Sequence, residues 1–254
     1  MINLLRAEWI KLRTVTMNWV LGIIAVAFPL VVTLLTAFFL GDEGDFEASD
    51  LLEGLQITTS LSRILIGVVA VAAITSEFGH GTIRTAFTAT PRRSRVLIAK
   101  GIMVVGCAMV VQALVSVLAL GVGGAIASSQ GATIDFGSVD SFVPSIVGGI
   151  LLAGLSALAA YGIGMVMRST PLAIVTFIVW PILGELIVGG LIALATRSST
   201  AISWMPFQAG SRLAAVANSD LIDGPSRVTG GLYFGVFALA LAGLGGWLVN
   251  RRDA

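Results

Sequence analysis

The chain has 254 residues, of which 56% are hydrophobic and only 11% are charged. Soluble domains carry charge on about 25% of their residues, so most of this surface is unsuited to water. A single cysteine and a single histidine exclude a disulfide framework, a cysteine-based zinc site and a multi-histidine metal site.

Six apolar runs are long enough to cross a bilayer, which takes about 20 residues. They cover roughly 17–40, 54–76, 97–127, 143–167, 171–195 and 229–249. The first run is too long for the apolar region of a cleaved signal peptide, so we interpret it as a retained span. We predict an all-α polytopic membrane protein with six transmembrane helices in a single transmembrane domain, residues 1–254.

Basic residues give the direction of insertion. An even number of spans places both termini on one side, together with eleven of the fifteen lysines and arginines: Arg6, Lys11, Arg13, Arg84, Arg92, Arg93, Arg95, Lys100, Arg168, Arg251 and Arg252. Only Arg197, Arg212 and Arg227 fall on the opposite side, and Arg63 lies within a span. Because cytoplasmic loops carry an excess of lysine and arginine, we predict that both termini are cytoplasmic.

Two segments outside the spans have amphipathic character. In residues 1–16, the apolar residues Leu4, Trp9 and Ile10 are interleaved with charges, which predicts an amphipathic helix at the inner surface. The alternative is that the first span simply begins early. In residues 196–229, aromatic residues beside Arg212 fit a short helix in the outer headgroup layer, which either caps a cavity or anchors the fold.

The outer loops between the spans are acidic. This pattern either concentrates a cationic substrate or is simply a solvated surface. The residues are Asp42, Glu43, Asp45, Glu47, Asp50, Glu53, Asp135 and Asp140.

Two charges, Arg63 and Glu185, lie inside predicted spans. Charges at that depth are costly and usually pair or line a water-filled cavity. We predict that they pair, within one chain or across a dimer, beside a transport path; a purely architectural bridge is the alternative. Gln56 and Gln112 are weaker candidates for the lining of that path, because such amides more often form interhelical hydrogen bonds.

Catalytic motifs are missing from the sequence. A P-loop needs Gly-Lys followed by Ser or Thr, whereas Lys11 and Lys100, the only lysines, follow Ile10 and Ala99. Neither HExxH nor GxSxG occurs, which disfavours a membrane-embedded protease or lipase. We therefore expect that the chain is not an enzyme by itself.

The loop after the second run is the most basic part of the chain. Ile83 and Phe87 are spaced i, i+4, which predicts a short helix with an apolar face. Such a helix either docks in a groove of a cytosolic partner or lies on the membrane with its arginines against anionic lipid.

This loop resembles the inner loop of type 2 ATP-binding-cassette transporter permeases. The resemblance is carried by Glu77-x3-Gly81-Thr82, followed by Pro91-Arg92, Arg95 and Ala99-Lys100. It implies six spans, an N-terminal elbow helix, and a re-entrant or interfacial helix before the last span. It also implies a coupling loop at 77–96 with its helix at 77–90, where an ATPase docks on Glu77, Phe78, Gly81, Thr82, Ile83, Arg84, Phe87, Pro91, Arg92 and Arg95.

The resemblance further implies a function. Two permeases, a second copy or a paralogue, and two separate ATPase subunits form the working unit. ATP and Mg are then bound by those subunits, so we expect no cofactor in this chain and no nucleic-acid partner. The substrate is expected to be a lipid, an amphiphilic drug or a peptide that moves outward across a bacterial cytoplasmic membrane. Some members of the family have far larger outer domains; this chain has none, so functions that depend on such domains are not expected. An ion-gradient-driven secondary transporter is the alternative, for which Trp180-Pro181 offers one interrupted helix.

Overall fold

The computed structural model describes residues 2–41, 46–82, 93–216 and 224–252, without the side chains of Arg93, Ser199 and Arg252. Across these ranges the chain is helical and no strand is present. The longer helices are α1 (Ile2–Thr14), α2 (Thr16–Leu40), α3 (Ala48–Gly79), α4 (Arg93–Ser129), α5 (Phe142–Met167), α6 (Thr170–Val179), α7 (Glu185–Thr196), α8 (Pro206–Ser211) and α9 (Arg227–Arg252).

Six helical segments of the described chain are long and apolar enough to cross a membrane, which confirms the predicted number of spans. The second one begins at Ala48, six residues earlier than the apolar run predicted. The reason is a capping box, in which the side chains of Glu47 and Asp50 each accept a hydrogen bond from the backbone N–H of the other residue. With 32 residues, α3 is about 48 Å long and exceeds the hydrocarbon core of a bilayer.

The fifth span is continuous but not regular. Between α6 and α7, the segment Trp180–Gly184 is a π-helix. Pro181 has no N–H and its ring clashes with the carbonyl four residues earlier, so the helical ladder widens locally instead of ending. The interruption that Trp180-Pro181 predicted is therefore a bulge within one span.

Both termini lie at the same end of the bundle, which we call the proximal end; the other is the distal end. Leu4 of α1 and Val249 of α9 pack into one cluster there with Ile74 and Leu97. Val15 separates α1 from α2, so α1 is a helix of its own and not an early start of the first span. The side of the membrane that the proximal end faces stays a prediction.

Helix α5 is the centre of the bundle and packs against α3, α4 and α9. A Cβ atom at Gly162 would lie 2.8 Å from the backbone nitrogen of Ala242, so α5 and α9 cross backbone against backbone. At the distal half, a Cβ atom at Gly148 would lie 1.7 Å from the carbonyl oxygen of Leu213. Close approach at small residues is the usual way in which membrane helices pack.

The segment between α7 and α9 re-enters the bundle from the distal end. It contains α8 between two short 3-10 turns, Ser199–Ala201 and Arg212–Ala214. Phe207 of α8 packs against Phe234 of α9, at 4.9 Å between ring centroids. Within the predicted headgroup-layer segment 196–229, α8 and the turn after it thus pack against α9 and α5, and residues 217–223 lie outside the described residues. The depth of this segment in the membrane stays a prediction.

Candidate functional site

Four charged side chains from three helices form a network at the proximal end. Lys100 of α4 donates to Glu77 of α3 at 2.9 Å and also to Glu8 of α1. Lys11 of α1 donates to the Glu8 and Glu77 carboxylates, at 2.8 Å each. The side chains of Glu8, Glu77 and Lys100 are less than 10% exposed, whereas that of Lys11 is 48% exposed. Two acids and two bases thus balance in charge.

Burial explains why these charges must share partners. An enclosed ion loses several kcal/mol of hydration, which is recovered only when an opposite charge and hydrogen bonds replace the water. For Lys11, burial lowers the pKa, but the hydrogen bonds and charges of Glu77 and Glu8 outweigh it and leave the pKa raised. Lys11 therefore stays protonated at neutral pH, and its contribution is lost only as the pH rises above the ordinary lysine value.

The orientation of α1 follows from this network. Glu8 is 5% exposed, while the neighbouring Trp9 and Ile10 are 49% and 53% exposed. The helix thus directs Glu8 inward and Trp9 and Ile10 outward, and the exposed pair is the face expected to contact lipid.

The network was missed by sequence reasoning, which gave Glu77 a docking role. Its partners are distant along the chain: Lys11 is 66 residues from Glu77, and Lys100 is 92 residues from Glu8. The sequence signal was limited to Glu77 and Lys100, which are charges near the ends of two apolar runs. Glu77 is enclosed by the two lysines and its side chain is 9% exposed, and its predicted docking role stays a prediction.

The network borders a cavity of about 760 Å³ between α1, α2, α3 and α4. Thr82, one of the predicted docking residues, lines this cavity together with Ser76 and His80. Thr82 precedes the loop that joins α3 to α4, so this cavity adjoins the predicted coupling segment.

The other predicted docking residues have varied positions. Phe78 lies under the Arg168 guanidinium, 5.0 Å from carbon to ring centroid. Gly81 has a φ of +68°, as the turn after α3 requires, and Arg95 is exposed on the first turn of α4. The remaining ones lie outside the described residues, so their role stays a prediction: Ile83, Arg84, Phe87, Pro91 and Arg92.

A second cavity, of about 410 Å³, surrounds Arg63 in the middle of α3. Arg63 is half-buried, and its Nη2 donates to Ser60 Oγ at 2.8 Å. Ser156 of α5 lines the same space, as do Gln208 and Ser211 of α8. The rest of the wall is apolar and comes from α3, α5, α6, α8 and the π-helical segment. We call this space the Arg63 cavity.

Glu185, the other predicted intramembrane charge, caps the re-entrant helix. Its Oε1 accepts a hydrogen bond from the backbone N–H of Phe207 at 2.7 Å, and its Oε2 accepts one from Gln208 at 3.1 Å. The first N–H groups of a helix have no partner within it, and a carboxylate satisfies them well. Glu185 is 0% exposed, and eleven residues separate it from the end of α7, about 16 Å along the helix.

The predicted ion pair between Arg63 and Glu185 is therefore wrong for the described chain. Both oxygens of Glu185 are occupied by backbone donors, and its enclosed side chain offers no surface to a second copy. Gln56 is half-buried near Gly149 of α5 and does not line the Arg63 cavity. Gln112 is 3% exposed, and its Oε1 has no hydrogen-bond partner among the described residues.

Six apolar spans, a re-entrant helix and buried charges define a multi-pass helical membrane protein. The sequence model of the ABC-2 family transporter proteins matches residues 4–195, and the chain belongs to this family. It is thus an ABC-2 type permease, a membrane transport component and not itself the catalytic subunit. The match confirms the resemblance seen in the basic loop, and it ends before α8 and α9. No curated protein and no solved structure matches the chain.

Proposed function

We propose that this chain is the permease subunit of an ATP-driven exporter whose separate ATPases dock on the coupling helix, residues 77–90. Family membership supports this, because it implies partnership with ABC ATPase subunits in general. ATP and Mg are bound by those subunits and not by this chain. An amphiphilic substrate moves outward between two permeases, a second copy of the chain or a paralogue.

The observation that carries the proposal is the network of Glu8, Lys11, Glu77 and Lys100. Helix α3 ends at Gly79 and α4 begins at Arg93, so these two helices flank the coupling loop. Buried ion pairs fasten both of them to α1. A movement that the ATPases impose on the loop is then passed to two spans and to the N-terminal helix together.

The proposal includes a place in the cell. The basic loop lies on the cytoplasmic side with both termini, in a bacterial cytoplasmic membrane, and residues 1–254 form one permease domain. Helix α1 is the elbow helix at the inner surface, with Trp9 and Ile10 against lipid.

The docking part of the proposal is tested with the double variant Arg84→Ala, Phe87→Ala. Glu77 is left unchanged, because its substitution also disrupts the buried network. The chain is co-expressed with the ABC ATPase encoded by a neighbouring gene and purified in mild detergent. We expect at least a tenfold loss of co-purified ATPase and loss of permease-dependent ATP hydrolysis, with an unchanged gel-filtration profile.

The matched control for this experiment is Ile102→Ala. This residue is 53% exposed on α4, within the apolar span and outside the coupling loop, so its substitution should leave ATPase binding unchanged. Wild-type ATPase binding and stimulation by the double variant would show that the loop is not the docking element.

The same purification addresses the secondary-transporter alternative. That class is favoured by the π-helical segment Trp180–Gly184, because such carriers often contain interrupted helices. An inverted repeat needs a matching interruption, yet the other five spans of the described chain are continuous α-helices. Transport by the lone chain in vesicles with an ion gradient, without an ATPase, would favour the alternative.

A further inference from the structure

The Arg63 cavity contains a cation without an acidic counterpart. No carboxylate lines this space among the described residues, and Glu185, the acid on the neighbouring span, has both oxygens bound by backbone N–H groups. A charge within the bilayer is costly and is retained where it has a partner or a function. The described chain supplies Arg63 with the neutral hydroxyl of Ser60 and nothing of opposite charge.

The surroundings of Arg63 fit an anionic group. A guanidinium has five N–H donors in a planar fork that matches a carboxylate or a phosphate. Ser60, Ser156, Ser211 and Gln208 line the same space. The hydroxyls of Ser60 and Ser211 already donate to the backbone carbonyls of Gln56 and Gln208, so the neutral donors left on this wall are the hydroxyl of Ser156 and the side-chain amide of Gln208.

The remainder of the cavity fits a hydrocarbon body. Its other walls are apolar and include the side chains of Phe177 and Phe207. The volume of about 410 Å³ is within the usual range for small-molecule sites. Gln208 and Ser211 are exposed at its margin, and Ile182 is 57% exposed, so the space is open at the side of the bundle.

We propose that the Arg63 cavity binds the anionic head of an amphiphile, a carboxylate or a phosphate, with its apolar part against the aromatic wall. The proposal names the substrate class of the proposed exporter. Only the claim that this amphiphile is transported rests on the proposed function. Binding itself needs no ATPase.

The test uses the purified full-length chain in a neutral detergent without any ATPase. A fluorescent polyene fatty acid is the probe, and oleate and oleyl alcohol are the competitors, which differ only in the charged head. We expect oleate to displace the probe at concentrations at least tenfold lower than oleyl alcohol. Equal competition by the alcohol would overturn the proposal, and this comparison requires no variant.

Two variants connect the head-group preference to the residue. We expect Arg63→Gln to bind the probe at least tenfold more weakly, and Arg63→Lys to retain part of the affinity because the charge remains. Arg6→Gln removes an exposed arginine of α1 outside the cavity and should bind like the wild type. Wild-type affinity in Arg63→Gln would overturn the proposal. A second copy of the chain that supplied the partner of Arg63 would overturn it too, and would give this same result.

A further comparison distinguishes the source of the anion. Phosphatidylglycerol and phosphatidylcholine are compared as competitors in the same assay. Displacement by phosphatidylglycerol but not by phosphatidylcholine or oleate assigns the site to a phospholipid of net negative charge, whereas displacement by oleate alone assigns it to a free carboxylate amphiphile. These binding measurements use neither an ATPase nor a nucleotide. A negative result in them therefore does not bear on the docking experiment, and a negative docking experiment does not bear on amphiphile binding.

Discussion

Lys100 illustrates how a single buried charge supports three helices. It is 3% exposed and contacts both Glu8 and Glu77, so its removal leaves two acids with Lys11 alone. We expect Lys100→Met to lower the free energy of unfolding by about 3–5 kcal/mol, the range for breaking a buried ion pair. Thermal unfolding in detergent measures this.

The control for that variant is Arg95→Gln, which removes an exposed charge five residues away and should leave the unfolding temperature nearly unchanged. Restoring charge balance with Glu77→Gln in the Lys100→Met background should recover part of the loss. A melting temperature of Lys100→Met equal to that of Arg95→Gln would contradict a stabilising role for the network.

Glu185 allows a second prediction at this scale. A glutamine has one acceptor oxygen, so Glu185→Gln leaves one N–H of α8 without its acceptor and turns an amide N–H toward it. We expect a cost of about 1–3 kcal/mol, the penalty for a buried unsatisfied group, and a loosened α8. The readout is the alkylation rate of Ala209→Cys, at a fully buried position of α8, in a Cys107→Ala background; this rate should increase.

The matched control is Glu53→Gln, the same substitution at an exposed residue of α3. It should leave the alkylation rate unchanged. If Glu185→Gln also left the rate unchanged, the carboxylate would not be what holds α8 in place.

At the scale of elements, the crossing of α5 and α9 depends on Gly162. Its added Cβ would meet backbone atoms of Leu241 and Ala242 at 2.8 Å, and backbone cannot rotate away as a side chain does. We expect Gly162→Ala to destabilise the protein by roughly 1–3 kcal/mol, as overpacking does. Gly106→Ala is the control, because no atom lies within 4 Å of its added Cβ.

The two variants are expected to change the free energy of unfolding in different directions. Alanine favours a helix over glycine by about 1 kcal/mol, so Gly106→Ala should be neutral or slightly stabilising. Equal melting temperatures for the two variants would show that the helices separate at no cost and that close approach at Gly162 is not required.

At the scale of the whole molecule, the sequence predicted what depends on hydrophobicity. Six apolar runs predicted six spans, and Pro181 predicted an interruption, because these are properties of consecutive residues. The Glu8–Lys100 contact joins residues 92 apart, and the acceptor role of Glu185 involves backbone N–H groups, which no sequence pattern displays. Pairing of Arg63 with Glu185 was the simplest expectation. It was wrong because the backbone N–H groups at the start of α8 bind the Glu185 carboxylate instead.

The walls of the Arg63 cavity come from two parts of the chain. Helices α3, α5 and α6 belong to the region matched by the family, while α8, which supplies Gln208 and Ser211, follows it. The proximal network lies entirely within the matched region. Under the proposed function, a change within residues 197–216 is expected to alter which amphiphile binds while the contacts of the proximal network stay unchanged, so substrate preference and ATPase coupling would evolve separately.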